Sequence, residues 1–209
     1  KEENVFFIYQ DLGIFQILKD LGIEDRGIYN PLTMITNYQD LLMYDNLGAN
    51  AVGLSSEIPL GDVKLCSEHS NKVFYLGFGY HPMYQTYRKL ASLYKEYSGL
   101  EFSLDKMSLK ELNKDDISPF VENEYGSIVF RRGVISILES IEKIKGVKYL
   151  FVDGIFLLED KQIIVIDTYR KVLDNIISKE EGLKIIDGLD LVYANKFMNM
   201  DSVYNPEDF

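Results

Sequence analysis

The chain has 209 residues, a formal net charge of −11, one cysteine and no tryptophan. This length fits one large domain or part of one, and the composition, 46% hydrophobic and 26% charged, excludes disordered and fibrous classes. The single cysteine excludes an internal disulfide, no stretch approaches the roughly 20 apolar residues that span a bilayer, and the acidic balance without an evident basic patch disfavours direct nucleic-acid binding. We therefore expect a cytoplasmic protein that has no membrane partner.

Short β-branched or aromatic runs alternate along the chain with segments of helical periodicity, which is the pattern of repeated βα units. The runs predict strands at residues 5–9, 27–29, 51–54, 73–76 and 148–152. Helices are predicted at residues 14–21, at 37–47, from 59, at 83–94, at 134–144 and at 159–177. The predicted buried faces include Ile14, Ile17, Leu18 and Leu21, then Met83, Tyr87, Leu90, Ala91 and Tyr94, then Val134, Ile137, Leu138, Ile141 and Ile144, and finally Ile163, Ile166, Tyr169 or Arg170, Leu173 and Ile177.

The βα rhythm breaks at residues 98–119, a charged stretch that we interpret as a surface excursion. A β-hairpin is predicted at about residues 119–131, with its turn at Glu124, Tyr125 and Gly126. Residues 179–209 are predicted to form an acidic C-terminal tail, so the predicted domain spans residues 1–178.

About five βα units are present, whereas a closed (β/α)8 barrel needs eight units and typically about 250 residues. The predicted fold class is α/β, with parallel βα units that form part of a TIM-like (β/α)8 barrel and a β-hairpin inserted before the last unit. The chain begins Lys1-Glu2-Glu3, with neither a start methionine nor a signal peptide, so we expect that the first units are missing. The alternatives are an open doubly wound sheet and a second chain that covers the open edge, and such an edge predicts self-association.

Standard catalytic motifs are absent from the sequence. His69 and His81 do not have the spacing of the helical His-Glu-x-x-His motif of zinc peptidases, and residues 53–57 lack the second glycine of a nucleophile elbow. Pro82 stands where a dinucleotide fingerprint needs its third glycine, which disfavours a phosphate loop there. Cys66 and His69 share one predicted helix, but two ligands do not make a zinc site. Because Cys66 continues an apolar helix face, we interpret it as a core residue.

Polar side chains follow each predicted strand, namely Gln10 and Asp11, Asn30, Glu57, Tyr80 and His81, and Asp153. In βα barrels the chemistry occurs at the carboxyl ends of the strands, because the following loops converge there. Each of these residues alone is more often a helix cap than a functional group. Their equivalent positions nevertheless favour a shared cavity.

Several short blocks, taken in chain order, resemble the collagenase-like peptidase U32 family. The blocks are Gln10–Gly13, Thr36–Asn37, Ser56–Leu60, Glu122–Ser127, and Val152–Gly154 with Tyr169–Arg170. The ordered series spans most of the chain. Proteins of this family usually begin with further βα units, which agrees with the missing units counted above.

The resemblance implies a chemistry that the family name does not state. Many members are similar to proteins of oxygen-independent hydroxylation, of the tRNA wobble uridine from prephenate, of ribosomal RNA and of ubiquinone precursors. Members with that chemistry carry cysteines that can hold an iron–sulfur cluster. This chain departs from the pattern, because Leu76 replaces the family's His, the following Cys is absent and Ile155 replaces an Arg. With Cys66 alone, no cofactor is expected in this chain.

The chain resembles the short, cysteine-poor branch that occurs in Firmicute-like bacteria beside a longer, cysteine-bearing U32 paralogue. We therefore expect a cluster-lacking subunit that supports prephenate-dependent hydroxylation of the tRNA wobble uridine. The paralogue would be its partner, could hold the iron–sulfur cluster, and would bind the tRNA, so that this chain meets tRNA only indirectly. The alternatives are a U32-type peptidase that acts on protein substrates and a scaffold without catalysis.

The predicted site combines the strand-end residues with the residues that the resemblance adds. The expected catalytic residues are Glu57, Asp11 and Asp153, and the expected substrate-binding residues are Asn37, His81 and Arg170. No metal ligand is expected.

Overall fold

The computed structural model describes residues 5–105, 107–110, 112–113 and 117–194. Within them, eight strands form the sheet: β1 (Phe7–Tyr9), β2 (Gly27–Tyr29), β3 (Ala51–Gly53), β4 (Val73–Thr86), β5 (Ser108–Lys110), β6 (Ile117–Asn123), β7 (Gly126–Ser136) and β8 (Val147–Val152). The α-helices are α1 (Leu12–Asp20), α2 (Tyr38–Asn46), α3 (Leu60–His69), α4 (Leu90–Ser98), α5 (Glu159–Leu173) and α6 (Lys179–Asp187). In this part of the chain, every helix is too short or too polar to cross a bilayer.

The sheet has a parallel half and an antiparallel half, which meet on β4. Strands β1, β2, β3, β4 and β8 run parallel in that order, which confirms the five predicted βα strands. From Phe78 onward, β4 pairs with β7, and β7, β6 and β5 follow in antiparallel order. The result is a mixed α/β fold with a curled half-barrel sheet, and the predicted hairpin is confirmed as β6 and β7. We call residues 80–136, which project from the parallel half, the arm.

The main core lies between one face of the parallel strands and the helices. Because strand residues alternate between the two faces, Tyr29 and Tyr75 belong to this core, whereas Ile28 and Phe74 belong to a second cluster on the opposite face. Phe151 of β8 stacks on Phe74 with ring centroids 4.8 Å apart. The second face of the half barrel is therefore apolar and aromatic.

The β1 edge of the sheet exposes apolar side chains. β1 pairs with β2 alone among the described strands, and its Phe7 and Ile8 are 41% and 60% exposed. In α1, Phe15 and Leu18 are buried, whereas the rest of the predicted buried face is exposed: Ile14, Ile17 and Leu21. The prediction is right for Leu18 and wrong for the other three, because periodicity identifies an apolar stripe but not the element that covers it.

The predicted buried face of α5 is also wrong in part. The helix buries Val165, Thr168, Tyr169 and Val172, whereas three predicted core residues are exposed: Ile163, Ile166 and Leu173. The helix carries two apolar stripes, and the core covers the stripe that contains Tyr169. The sequence alone does not say which of the two faces the sheet.

Two predicted helices of the arm are wrong in their extent. Met83 lies in β4, which continues to Thr86, and α4 begins only at Leu90. Val134 lies in β7, and a 3₁₀ helix at Leu138–Lys143 replaces the rest of the predicted helix. Both errors have one cause, because β4 and β7 pair along a long ladder and tertiary pairing overrides local helical periodicity.

The segment predicted as a tail begins with α6, which packs against α5. Ser178 and Glu181 form a capping box at its start, and Ile186 is buried in the main core. Further on, the N–H of Val134 donates to the carbonyl oxygen of Val192 at 2.8 Å. Gly133 has φ +93° and lies against that same carbonyl, which leaves no room for a Cβ. Residues 195–209 of the predicted tail lie outside the described residues.

The hydroxyl of Tyr169 joins α5 to the point where the sheet changes direction. It donates to the carbonyl oxygen of Gly77 on β4 at 2.7 Å and lies 2.9 Å from Oγ of Ser136 at the end of β7. Burial raises the pKa of Tyr169 well above its ordinary value, so the hydroxyl keeps its proton and stays a donor. Three elements are thereby held by one side-chain oxygen.

We predict that Tyr169→Phe lowers the free energy of unfolding by about 1–3 kcal/mol, because it removes two buried hydrogen bonds, to Gly77 and to Ser136, and leaves the Gly77 carbonyl only its bond from the N–H of Ile137. Urea denaturation followed by circular dichroism measures this loss. Tyr97→Phe is the matched control, since Tyr97 is 90% exposed and its hydroxyl makes no hydrogen bond with a described residue. Equal midpoints for the two variants would contradict the role given to Tyr169.

We also predict that the isolated chain self-associates, because apolar side chains exposed on β1 and α1 gain about 25 cal/mol per Å² when they are covered. Light scattering after gel filtration over a range of concentrations measures the mass. Ile8→Lys combined with Ile17→Lys should shift the mass toward the monomer, whereas Leu112→Lys on the arm should not. A monomer at every concentration for the unsubstituted chain would refute the prediction.

Candidate functional site

The carboxyl ends of the parallel strands meet the base of the arm, and the loops there contain most of the predicted site residues. The loop after β8 is held against the arm by Phe156, whose ring lies edge-on to Tyr80 and Phe130 with centroids 5.2 and 5.1 Å away. Phe156 has φ +62°, an uncommon conformation for a bulky side chain. The last βα loop and the arm therefore form one connected wall.

Two of the predicted site residues act as helix caps. Oδ1 of Asp11 accepts a hydrogen bond from the N–H of Gly13 at 2.6 Å at the start of α1. Oδ1 of Asn37 accepts from the N–H groups of Gln39 and Asp40 at 2.9 and 3.0 Å at the start of α2. Both side chains satisfy backbone donors that the helix leaves open. Their predicted roles in catalysis and substrate binding stay predictions.

Glu57 is an exposed residue in the otherwise largely buried turn between β3 and α3. Its N–H donates to Oγ of the fully buried Ser55 at 3.2 Å, which fixes the turn. Its carboxylate makes no hydrogen bond or ion pair with a described residue. The carboxylate is therefore held at the strand ends and is open to contact from outside.

Asp153 directly follows the last residue of β8 and lies against β4. Its N–H donates to the carbonyl oxygen of Phe78 at 2.8 Å, and its Oδ1 accepts from the N–H of Ile155 at 2.9 Å. Gly79, with φ +147°, packs so closely that an added Cβ would lie 2.7 Å from Cβ of Asp153. Asp153 therefore forms an Asx turn that seats the last loop on β4.

His81 is a buried imidazole at the base of the arm. Its residue is 2% exposed, and neither ring nitrogen makes a regular hydrogen bond to a described residue. Burial and, to a smaller extent, the positive charge of Arg131 lower the pKa of His81 to about 4, although the nearby backbone of Ser56 acts in the opposite direction. The ring is therefore neutral at pH 7.

A bulge on β7 brings Arg131 to His81. Tyr80 pairs with Val134 and Pro82 pairs with Phe130, so His81 alone on β4 faces residues 131–133 on β7. Bulges of this kind redirect side chains and are common beside functional sites. Sequence reasoning missed Arg131, although the glycine that ends the Arg-Arg-Gly run is a signal of an interrupted strand.

Arg170 lies apart from the strand-end loops. Its side chain is 74% exposed, and Nε donates to Oδ2 of Asp174 at 2.7 Å, one turn further along the chain. The neighbouring Tyr169 points into the core instead. The predicted substrate-binding role of Arg170 stays a prediction.

Cys66 is buried on α3, near negatively charged side chains. Burial, together with the charges of Asp62 and Asp40, raises the pKa of the Cys66 thiol to about 12. A thiolate is the form that attacks substrates and binds metals, and this setting opposes it. Asp62, which is buried in the first turn of α3, was not identified from the sequence. Among the described residues, no three His, Cys, Asp or Glu side chains are grouped so that they could hold a metal ion.

The six predicted residues do not form one connected constellation. Within the described part of the chain, no hydrogen bond or ion pair joins any two of them. The turn that contains Glu57 brings the backbone of Ser56 near the imidazole of His81. The strand ends and the base of the arm thus offer an open carboxylate at Glu57 and a neutral, buried imidazole at His81 that feels the charge of Arg131.

A family model described as peptidase family U32 matches residues 4–200 of the chain. No curated protein and no solved structure matches the chain significantly. The family match covers the parallel half of the sheet, the arm and α6 together.

We predict that His81 makes the protein less stable in acid. The folded pKa of about 4 lies below the ordinary value of 6.5, so this contribution is complete above pH 6.5 and is lost as the pH falls toward 4. Between about pH 6.5 and about pH 5 the loss is about 2 kcal/mol. Urea denaturation at both pH values measures it.

His81→Phe and His81→Gln are the matched variants for this measurement. All three proteins share their carboxylates, so the difference in pH dependence between wild type and variant isolates the imidazole. Equal pH dependence in wild type and in a folded variant would show that His81 titrates normally.

Proposed function

The chain belongs to peptidase family U32, and from that premise we propose that it is a cluster-lacking subunit that supports prephenate-dependent hydroxylation of the tRNA wobble uridine. Its partner in this proposal is a longer, cysteine-bearing paralogue, which supplies the iron–sulfur cluster. The half-barrel sheet is then part of a TIM-like barrel, and the pair works in the cytoplasm.

One observation carries the proposal, namely that the single thiol of this chain is sealed in the core. Cys66 is 1% exposed, and its pKa of about 12 keeps the proton on sulfur at physiological pH. An iron–sulfur cluster needs several thiolates at one place. The residues of this chain do not fit such a cluster, so a role within this chemistry requires that another chain supply it.

The open carboxylate of Glu57 supports a role at the strand ends. Helix α3 begins after Pro59, and its first-turn N–H groups are not bound by Glu57. The carboxylate therefore has no structural partner among the described residues that would explain it. We assign it to contact with the substrate or to proton transfer there.

No contact described above favours a peptidase. Peptide hydrolysis needs an activated nucleophile or an activated water. The thiol of Cys66 is protonated and buried, and one carboxylate oxygen each of Asp11 and Asp153 is bound in its own turn. Hydrolysis of gelatin or of collagen-like peptides by the purified protein would instead establish the peptidase.

We predict that deletion of the gene abolishes hydroxyuridine at the wobble position, as measured by mass spectrometry of tRNA. The wild-type gene and Cys66→Ala should restore the modification, because the thiol takes no part. Glu57→Gln should lower it by about tenfold or more, since a positioned acid or base contributes about 10²–10⁴-fold to rate.

Glu68→Gln is the matched control, because Glu68 is an exposed carboxylate on α3 that pairs with Lys64. Abundance of each variant is compared on immunoblots, so that loss of protein is not read as loss of function. Normal tRNA in the deletion strain would refute the proposal, and full rescue by Glu57→Gln would leave Glu57 a structural residue.

A further inference from the structure

The outer end of the arm concentrates exposed aromatic and basic side chains. Tyr87 is 90% exposed and Tyr125 is 72% exposed. Arg88 and Lys89 beside them are exposed as well, and neither makes an ion pair with a described residue. We call these four residues the arm tip. Single exposed apolar residues are ordinary, but two open rings beside two open cations indicate a binding surface.

Backbone and side-chain hydrogen bonds fix the arm tip. Thr86 at the end of β4 pairs with Ser127, which follows the β6–β7 turn that carries Tyr125. Oγ of Ser127 donates to the carbonyl oxygen of Arg88 at 2.9 Å and accepts from the N–H of Leu90 at 3.0 Å. The turn and residues 87–89 are thus held side by side.

The charge of the arm differs from that of the rest of the chain. Residues 80–136 contain eight Lys and Arg and eight Asp and Glu, so the whole net charge of −11 lies outside the arm. Near the arm tip, the carboxylate of Glu122 accepts from the N–H groups of Ala91 and Ser92 and from the hydroxyl of Ser92, so it is bound to the start of α4. Glu124 remains exposed in the turn.

We propose that the arm tip binds unpaired nucleotides of an RNA loop. Every base has a π-face that can stack on tyrosine, and arginine and lysine pair with phosphate. The acidic remainder of the surface repels phosphate, which confines the contact to the arm. Taken together with the proposed function, on which the identity of the RNA rests, this surface contacts the tRNA directly, rather than only through the partner.

Fluorescence anisotropy with the full chain tests the inference. The probes are a labelled RNA hairpin with an unpaired, uridine-containing loop and a fully paired RNA of the same length. We expect the hairpin to bind more tightly, with an affinity that falls as salt rises. Tyr87→Ala and Tyr125→Ala should each weaken hairpin binding at least about fivefold. Arg88→Gln should weaken binding and reduce the slope of affinity against salt by about one.

Tyr97→Ala is the matched control, because Tyr97 is as exposed as Tyr87 but lies at the other end of α4. Equal affinity for hairpin and paired RNA, or equal effects of Tyr87→Ala and Tyr97→Ala, would overturn the inference. Variants that bind RNA normally but no longer retain the cysteine-bearing paralogue would show a protein-docking surface instead, which also overturns it.

The inference and the proposed function fail in different ways. Loss of hydroxyuridine in the deletion strain, together with unaltered RNA binding by the arm-tip variants, would retain the function and remove the inference. The opposite pair of results is also informative. If the purified chain binds RNA through the arm tip but deletion of the gene leaves tRNA unchanged, the inference is retained and the proposed function is refuted.

Discussion

The pairing of β4 with β7 is the interaction on which the rest of the structure depends. It carries β4 beyond the parallel sheet, so that one strand belongs to both halves of the fold. It also places the bulge that brings Arg131 to His81, and it supports the hairpin whose end forms the arm tip. At the base of this ladder, the hydroxyl of Tyr169 joins both strands to α5. Without the pairing of β4 with β7, the loop after β8 would lose the arm residues against which Phe156 packs.

The parallel half of the sheet could be read from the sequence, because each strand and its helix lie close together in the chain. Asn37 and Pro59 are helix-start signals in the sequence, and they correctly predict where α2 and α3 begin. The arm could not be read in the same way. Its strands pair over long separations, and Val134 and Met83 belong to apolar runs that suit a helix as well as a strand. Local pattern does not decide between those two states when a distant partner does.

The candidate site shows the same division between local and distant causes. Asp11 follows β1 and Asn37 begins the second helix, as the sequence predicts, but the helix that each precedes already uses their oxygens. Glu57 differs because α3 begins with Pro59, and the carboxylate remains open. The neutrality of His81 depends on its burial at the base of the arm and on Arg131. Neither cause is visible in the residues adjacent to His81, so its state could not be predicted from the sequence.

The contact between Gly133 and Val192 has a consequence for the order in which the molecule assembles. The β6–β7 hairpin is local and can form as soon as it leaves the ribosome. Its root, however, is completed by the hydrogen bonds between Val134 and residues 192 and 194, which are synthesised after α5 and α6. Closing so long a loop costs entropy that only the finished core offsets. We therefore expect the arm to reach its final orientation late in folding, after α5 and α6 have docked.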